Sequence, residues 1–307
     1  MSRPLVWLAS FPKSGSTWLR FLLHHLFHGP PPTSAVLDVR MPSLHGDQEA
    51  PSDAVRRGGV VLTHKAAATH HARWPRGVAT IHLVRHPIDV VMSDMRFFVM
   101  TQLQEWLRQH DRSNEAPAPE DVQALAQMFL TTVLQGRATP QRRELGVGTW
   151  DQHTQSWLDH SGTSITLRYE DLRRTPAVEL RRLLDLLGLP VPEPRIAAAI
   201  AACDVQAMRA MQEREIAQRI PGRFYDPNHA AGYKAGLRFV GPAKMADFSL
   251  PAGVRQQLAR LYAEPMAQLG YHLTDGRPPV VAPPSSLRKF TPLPPGVGLQ
   301  VAATPKG

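Results

Sequence analysis

Cysteine is almost absent from this chain, which has 307 residues and one cysteine, Cys203. A single thiol excludes an intramolecular disulfide and any metal site built from several cysteines. It also fits a reducing compartment, so we predict a cytoplasmic protein. Long apolar runs are absent as well: none approaches the roughly 20 residues of a membrane helix, and the N-terminus lacks the basic and apolar regions of a signal peptide. We therefore expect neither a membrane span nor a secretory leader.

Acidic residues are in deficit. The chain has 35 Lys and Arg residues against 26 Asp and Glu residues, which gives a formal net charge of +9. Such an excess favours an anionic partner, whether a nucleotide, an acidic substrate, a nucleic acid or a membrane surface. There is no dense Lys/Arg tract with interleaved aromatic residues, so we predict no nucleic-acid partner.

Short apolar runs that are typical of buried strands alternate with segments of helical periodicity. Four such runs occupy residues 5–8, 60–63, 79–84 and 164–169. The alternation predicts an α/β fold with a mainly parallel central sheet flanked by helices. Ligands of such sheets bind at the carboxyl ends of the strands. The residues at or just beyond those ends are Lys13, His64, Arg85 and Tyr169.

Residues 11–18, Phe-Pro-Lys-Ser-Gly-Ser-Thr-Trp, join the first predicted strand to an amphipathic segment. A loop of Ser, Gly and Thr at the start of a helix points N–H groups and hydroxyls at one spot, where the helix dipole adds positive potential. Lys13 adds a full charge that can reach a phosphate oxygen. The pattern predicts a phosphorylated ligand, and the alternative is a serine-rich turn with an exposed lysine. A Walker A loop is excluded, because the lysine precedes the only glycine.

The order Lys-Ser-Gly-Ser-Thr-Trp directly after Phe-Pro resembles the 5′-phosphosulfate loop of sulfotransferases that use 3′-phosphoadenosine 5′-phosphosulfate (PAPS). A second motif, Leu-Val-Arg-His-Pro-Ile-Asp-Val-Val-Met-Ser at residues 83–93, resembles the 3′-phosphate motif of that family. The resemblance implies a P-loop-NTPase-like three-layer fold, PAPS as the sulfuryl donor, no metal, and Arg85 and Ser93 as the 3′-phosphate ligands. A guanidinium suits this role because it offers permanent charge and bidentate hydrogen bonds. The alternative for Arg85 is a surface ion pair.

The resemblance also implies the remaining contacts with the donor. Its adenine would lie against Trp18 and Tyr169, although either aromatic side chain could instead pack in the core. The last phosphate motif of the family, Arg-Lys-Gly with a downstream Gly-Asp-Trp, has only a weak match in residues 232–241. There, Arg238 or Lys234 could supply the positive charge that binds the phosphate. The loop residues implied to bind the 5′ end of the donor are Lys13, Ser14, Gly15, Ser16 and Thr17.

The predicted general base is His64, at the end of the second apolar run, where the family places its catalytic histidine within Lys-Thr-His. Here Leu62 replaces that lysine. An imidazole with a pKa near ~6.5 can take a proton from an acceptor hydroxyl at neutral pH, a role worth roughly 10²- to 10⁴-fold in rate. Lys13 is the second predicted catalytic residue, because it would stabilise charge on the leaving phosphate oxygen.

The predicted function is transfer of a sulfuryl group from PAPS to a hydroxyl or amine of a small-molecule acceptor, with release of adenosine 3′,5′-bisphosphate (PAP). Two alternatives stay open. One is a nucleotide-dependent kinase of the P-loop class, since fold alone does not assign function. The other is a noncatalytic protein that keeps the nucleotide cleft. The dimer signature of some animal members, Lys-x-x-x-Thr-Val, has no clear copy here, so the oligomeric state stays open too.

One domain is predicted over residues 1–274, and its span 101–148, where helical patterns are broken, is predicted to shape the acceptor pocket or a lid. Residues 275–307 hold eight of the 29 prolines with little apolar periodicity, which predicts an extended or disordered tail. The helices predicted late in the domain cover residues 177–187, 195–202, 205–218 and 251–270.

Overall fold

The computed structural model describes residues 4–44, 58–72, 74, 77–241 and 250–272. Within them, five strands form one sheet in the order β2-β3-β1-β4-β5, and every neighbouring pair is parallel. The strands are β1 Leu5–Ser10, β2 Ser43–Leu44, β3 Gly59–Thr63, β4 Ala79–Val84 and β5 Ser164–Arg168.

The four predicted apolar runs form β1, β3, β4 and β5. In the register of the sheet, Leu8 lies opposite Leu62 on one side and Ile81 on the other, and Ile81 lies opposite Ile165. Strands β1 and β4 are buried along their whole length, as is typical of parallel strands covered on both faces. Because all the strands run the same way, their carboxyl ends meet at one edge of the sheet.

Helices cover both faces of the sheet. None of those in the described ranges is both long and apolar enough to cross a membrane. The α-helices are α1 Ser16–His28, α2 Val36–Arg40, α3 Ala67–His71, α4 Pro87–Gln109, α5 Pro119–Leu134, α6 Pro140–Glu144, α7 Trp150–Leu158, α8 Tyr169–Arg174, α9 Pro176–Leu186, α10 Glu193–Ala202, α11 Val205–Gln218, α12 Ala230–Lys234, α13 Ala252–Leu261 and α14 Ala263–Gln268, with a 3₁₀ turn at Pro227–His229.

Two large apolar cores hold the layers together. One core joins strand side chains to α1, α9 and α10, and its members include Leu8, Leu22, Ile81, Leu183 and Ile196. The second core joins the long helix α4 to α5, α12 and α13, and its members include Val91, Leu103, Phe129, Ala231 and Leu258. Helices packed around one parallel sheet confirm the predicted α/β fold.

The prediction of one last helix over residues 251–270 is wrong, because two helices cover this range. Leu261 ends α13, and Ala263 begins α14. Pro265 has no backbone N–H to donate to the carbonyl of Leu261, four residues earlier, and its ring crowds that carbonyl. A single continuous helix therefore cannot form here.

The predicted acceptor span, residues 101–148, begins inside α4, which continues to Gln109. Helices α5 and α6 follow within it. The sequence patterns do not predict β2, α3 or α12, because elements of two to five residues are too short for a period to be visible. The predicted tail, residues 275–307, lies outside the described residues, and its boundary at residue 274 stays a prediction.

Candidate active site

The phosphate loop, residues 11–15, lies between β1 and α1. Its backbone is left-handed at Lys13, with φ 70°, and at Gly15, with φ 101°. Gly15 precedes α1 and offers no side-chain cap, so the N–H groups of the first helical turn, which have no acceptor within the helix, point into the loop. A Cβ at Gly15 would lie 2.4 Å from Cδ2 of Tyr169. Both the backbone conformation and the close approach of this ring therefore require glycine.

The Tyr169 ring connects the loop to the second motif. It meets the Trp18 ring edge-on, with centroids 5.8 Å apart, and Cζ of Arg85 lies 4.6 Å from its centroid. The Trp18 indole N–H donates to the carbonyl of Cys203 at 2.8 Å. The structure thus brings Trp18, Arg85 and Tyr169 into one cluster. Tyr169 begins α8 rather than ending β5.

Arg85 joins the two predicted phosphate motifs directly. Its Nη1 donates to the carbonyl of Lys13 at 3.2 Å, and its Nη2 lies 3.9 Å from the carboxylate of Asp89. Arg85 Nε and the Ser14 hydroxyl are both buried and find no hydrogen-bond partner within the described part of the chain. Buried polar atoms are rarely left unpaired. Two such donors at a phosphate loop fit an oxyanion.

Glu170 holds the turn that follows Arg85, a role that sequence reasoning missed. Its carboxylate accepts the backbone N–H of His86 at 2.9 Å and the hydroxyl of Tyr271, also at 2.9 Å. Burial raises the pKa of Glu170, and the hydrogen bonds that it accepts oppose this shift. Because Glu170 directly follows the predicted site residue Tyr169 in the sequence, its place at the site could have been predicted. Tyr271 lies 101 residues away, and no local pattern connects it to the site.

The Lys13 ammonium lies against two aromatic rings. Its Nζ is 4.2 Å from the Phe97 centroid and 3.8 Å from the Phe239 centroid. Burial lowers the pKa of Lys13 to about 7, and the charge of Asp94 opposes this shift. Smaller contributions that lower the pKa further come from the positive charges of Arg85, Arg96 and Arg223. The loop therefore lies in a region of positive potential, as an anion site requires.

Sequence reasoning missed five of these neighbours of Lys13. Three of them, Asp94, Arg96 and Phe97, follow Ser93 on α4 by one, three and four residues, so the motif could have been extended to them. The other two, Arg223 and Phe239, reach the loop only through the fold, and no spacing in the sequence predicts that.

His64 directly follows β3, and its ring is oriented by the neighbouring strand. Its Nδ1 lies 2.6 Å from the carbonyl oxygen of Ser10, the last residue of β1. A carbonyl can only accept, so Nδ1 carries the proton, and the lone pair of the neutral ring is on Nε2. Leu62 is buried in the first core and supplies no basic group. The arrangement gives an imidazole whose Nε2 can act as a base.

The predicted hydroxyl ligands lie on two helices. Ser16 and Thr17 form the first turn of α1, beside the N–H groups of the loop. Ser93 is half-buried on α4, eight residues after Arg85. The fold presents the first two at the loop, and the role of Ser93 in the 3′-phosphate site stays a prediction.

The two candidates for the closing phosphate ligand lie apart from the loop contacts. Nε of Arg238 donates to Glu213 at 2.8 Å, and its Nη1 donates to the carbonyl of Tyr233 at 3.1 Å. Lys234 is exposed. The residue of this segment that contacts Lys13 is Phe239, and the choice between Arg238 and Lys234 stays a prediction.

An apolar cleft of about 420 Å³ runs along α1. Cys203, whose carbonyl holds the Trp18 indole, forms part of its wall. The other lining residues include Phe21, Pro30, Pro31, Met208 and Met211. The cleft therefore lies beside the predicted nucleotide cluster.

Comparison with known proteins gives the family. The model of the Sulfotransferase domain matches residues 3–222. The chain belongs to the sulfotransferase family. This membership confirms the family that the two phosphate motifs predict, and it favours the sulfotransferase interpretation over a nucleotide kinase.

Individual relatives are distant. The chain is similar to Sulfotransferase 1A1 of Rattus norvegicus, with 25% identity over 218 aligned positions. The match covers 66% of each chain, which is just under two thirds of that relative's length. The mouse sulfotransferase SULT7A1 complexed with PAP is 18% identical with a TM-score of 0.53, and the match covers 86% of this chain and 84% of that one. Retinol dehydratase in a complex with retinol and PAP is 17% identical with a TM-score of 0.55, over 86% and 82% of the chains. These structures share the fold.

Proposed function

We propose that this protein transfers the sulfuryl group of PAPS to a hydroxyl or amine of a small-molecule acceptor and releases PAP. The observation that carries the proposal is that anion-binding donors and a candidate base lie at the same edge of the sheet. The Ser14 hydroxyl and Arg85 Nε are buried at the phosphate loop with no hydrogen-bond partner among the described residues, and the strand that leads into the loop orients the imidazole of His64. The sulfotransferase family and the PAP complexes of similar folds support this interpretation.

The donor would span the two motifs. Its 5′ end would bind the N–H groups and hydroxyls of residues 13–17, and its 3′-phosphate would bind Arg85 and Ser93. The adenine would stack on Trp18, with Tyr169 at the edge of that ring and the apolar cleft near Cys203 beside it. Arg238 stays the candidate that would close the 3′-phosphate site.

In the reaction, Nε2 of His64 takes the proton of the acceptor as the acceptor oxygen or nitrogen bonds to sulfur. The bond from sulfur to the bridging phosphate oxygen breaks, and PAP leaves with that electron pair. Loop N–H groups and Lys13 stabilise the charge that grows on the phosphate. Arg85 fixes the register of the donor and so contributes orientation rather than bond chemistry.

The acceptor is proposed to be a small molecule that reaches His64 from the side of α4 to α6. The apolar side chains near Phe11 on this side include Val90, Val91 and Phe129, and a buried ion pair joins Asp94 to Arg142. In the described ranges, no group of three or more His, Cys, Asp or Glu side chains is arranged to hold a metal ion. The prediction of a reaction without metal stays a prediction, as does the cytoplasmic location.

The test combines binding with product analysis. The purified protein is heated with PAP and, separately, with ATP and Mg²⁺, because a ligand raises the melting temperature only if it binds the folded state. We expect stabilisation by PAP. Incubation with PAPS and a broad acceptor panel should then release PAP and add one sulfuryl group to an acceptor, as read by mass spectrometry. Stabilisation by ATP and Mg²⁺ but not by PAP would favour a kinase. Binding of PAP without any sulfated product would favour a noncatalytic protein.

A further inference from the structure

Lys13 is held by aromatic rings rather than by an acidic partner. Its Nζ lies 4.2 Å from the centroid of Phe97 and 3.8 Å from that of Phe239, and the two rings meet edge-on with centroids 5.8 Å apart. We call Phe97 and Phe239 the aromatic clamp. Both distances are within the range of cation–π attraction. Phe97 lies on α4 and Phe239 in the segment after α12, so folding brings two distant segments into contact with Lys13.

The charged groups around the clamp are mostly positive. On α4, Asp94 attracts the ammonium, but its carboxylate also forms an ion pair with Arg142. The groups that repel the ammonium are Arg85 after β4, Arg96 on α4 and Arg223 after α11. The two rings therefore stabilise the cation where three arginines oppose it, and an added anion would compete with the rings.

We propose that Phe97 and Phe239 are positioning residues for Lys13, which hold its ammonium while the donor is absent and release it to the anion that binds the phosphate loop. The inference rests on the proposed function only for the identity of that anion. Before an anion binds, the clamp would hold the side chain against the two rings. When a phosphate oxygen reaches the loop, a full negative charge replaces two ring faces, and Nζ moves to it.

The clamp has a measurable consequence for affinity. A cation–π contact is worth about 0.5–1 kcal/mol at an exposed site and more when desolvated, and the protein loses this contact when Lys13 moves to the ligand. Replacing one ring by leucine removes the contact from the ligand-free state and keeps apolar bulk. Each of Phe97→Leu and Phe239→Leu should therefore bind PAP about 2- to 5-fold more tightly.

The first experiment needs no variant of the clamp. The chain has six lysines, so the protein labelled with ¹³C-lysine gives a simple NMR spectrum, in which Lys13→Arg identifies the Lys13 resonances. Ring currents should place the Lys13 ε-CH₂ signal upfield of the other lysines in the free protein. Saturating PAP should return that signal to the ordinary range. An unshifted signal in the free protein, or an upfield signal that PAP leaves unchanged, would overturn the proposal.

The second experiment measures PAP affinity by calorimetry for Phe97→Leu, Phe239→Leu and a matched control, Phe98→Leu. Phe98 follows Phe97 on the same helix, but its ring packs on Phe129 at 5.4 Å. We expect tighter binding for the two clamp variants, loss of the upfield shift in both, and no change in either readout for the control. Weaker binding by the clamp variants would contradict release and indicate that the rings support the bound state.

The two proposals fail in different ways. If PAP does not bind but the free protein shows the upfield Lys13 signal, PAPS is not the donor. Pyrophosphate is then tested in place of PAP and should return the Lys13 signal to the ordinary range. If PAP binds and sulfated product forms but the Lys13 signal is ordinary with and without PAP, the aromatic clamp is rejected and the proposed reaction is retained.

Discussion

The two halves of the strand edge hold their functional groups by different means. On the loop side, after β1 and β3, the Lys13 ammonium lies against two aromatic rings, and the Ser10 carbonyl orients the His64 ring. On the arginine side, after β4 and β5, Arg85 is tied to the Lys13 carbonyl and the turn behind it to Glu170. In the proposed mechanism, the groups on the loop side move charge and protons, whereas the Arg85 guanidinium sets the position of the donor. Variants on the loop side should therefore change turnover, and variants on the arginine side should change affinity and stability.

The largest effect is expected at His64. His64→Ala removes the base and should lower kcat by roughly 10²- to 10⁴-fold, while PAP affinity stays near that of the original protein. Steady-state kinetics and calorimetry measure the two quantities. If His64→Ala has the turnover of the original protein, His64 is not the base, and the loop side does not transfer the proton.

The arginine side is tested by Arg85→Ala. Hydrogen bonds to a charged group contribute about 1.5–3 kcal/mol, so PAP affinity should fall about 10- to 100-fold. Adenosine 5′-phosphate lacks the 3′-phosphate, and its affinity should fall much less. Equal losses for the two nucleotides, measured by calorimetry, would mean that the 3′-phosphate binds elsewhere.

Gly15→Ala tests the contact between the two sides. A Cβ there would lie 2.4 Å from the Tyr169 ring, and φ is 101°, so the free energy of unfolding should fall by about 1–3 kcal/mol and PAP binding should weaken. The control is Gly253→Ala, on α13, where nothing lies within 4 Å of the added carbon. Chemical denaturation should find the control no less stable than the original protein. Equal stability of both variants would contradict the close packing of loop and ring.

Acid should destabilise the fold through histidines that are buried in the neutral form. Burial lowers the pKa values of His70 and His82 to about 3. The unfolded chain takes up a proton at each ring below about pH 6.5 and the folded chain does not, so stability is lost as the pH falls from 6.5, by about 1.4 kcal/mol per histidine at pH 5.5. His82→Leu should lower the pH midpoint of acid unfolding, and the exposed control His110→Gln should not. A midpoint unmoved by His82→Leu would contradict this account.

The smallest effect is expected from Tyr271→Phe, which removes one hydroxyl from Glu170 and leaves the ring. Unfolding free energy should fall by about 1 kcal/mol, the typical contribution of one hydrogen bond. Because Glu170 also accepts the His86 N–H, the turn after Arg85 should loosen, and PAP affinity should fall by less than in Arg85→Ala. Unchanged stability and affinity would show that the turn keeps its shape without Tyr271.

The sequence predicts the elements whose pattern is local. Continuous apolar runs predict four of the five strands found in the described ranges, and the loop from Lys13 to Trp18 predicts the phosphate site and the family. The contact of Lys13 with Phe239 was not predictable, because Phe239 lies more than 200 residues further along the chain and only tertiary packing brings it to the loop. The motif predicts a lysine that reaches toward a phosphate oxygen, whereas the structure places its ammonium against two aromatic rings.

The hydrogen bond from Arg85 to the carbonyl of Lys13 has a consequence for selectivity. It joins residues 72 positions apart. In the proposed donor site, this bond would set the spacing between the two anion subsites, and a nucleotide whose charged groups match that spacing would engage both subsites at once. A longer or shorter nucleotide would bind one subsite only and would lose the gain in affinity that comes from attachment at two points.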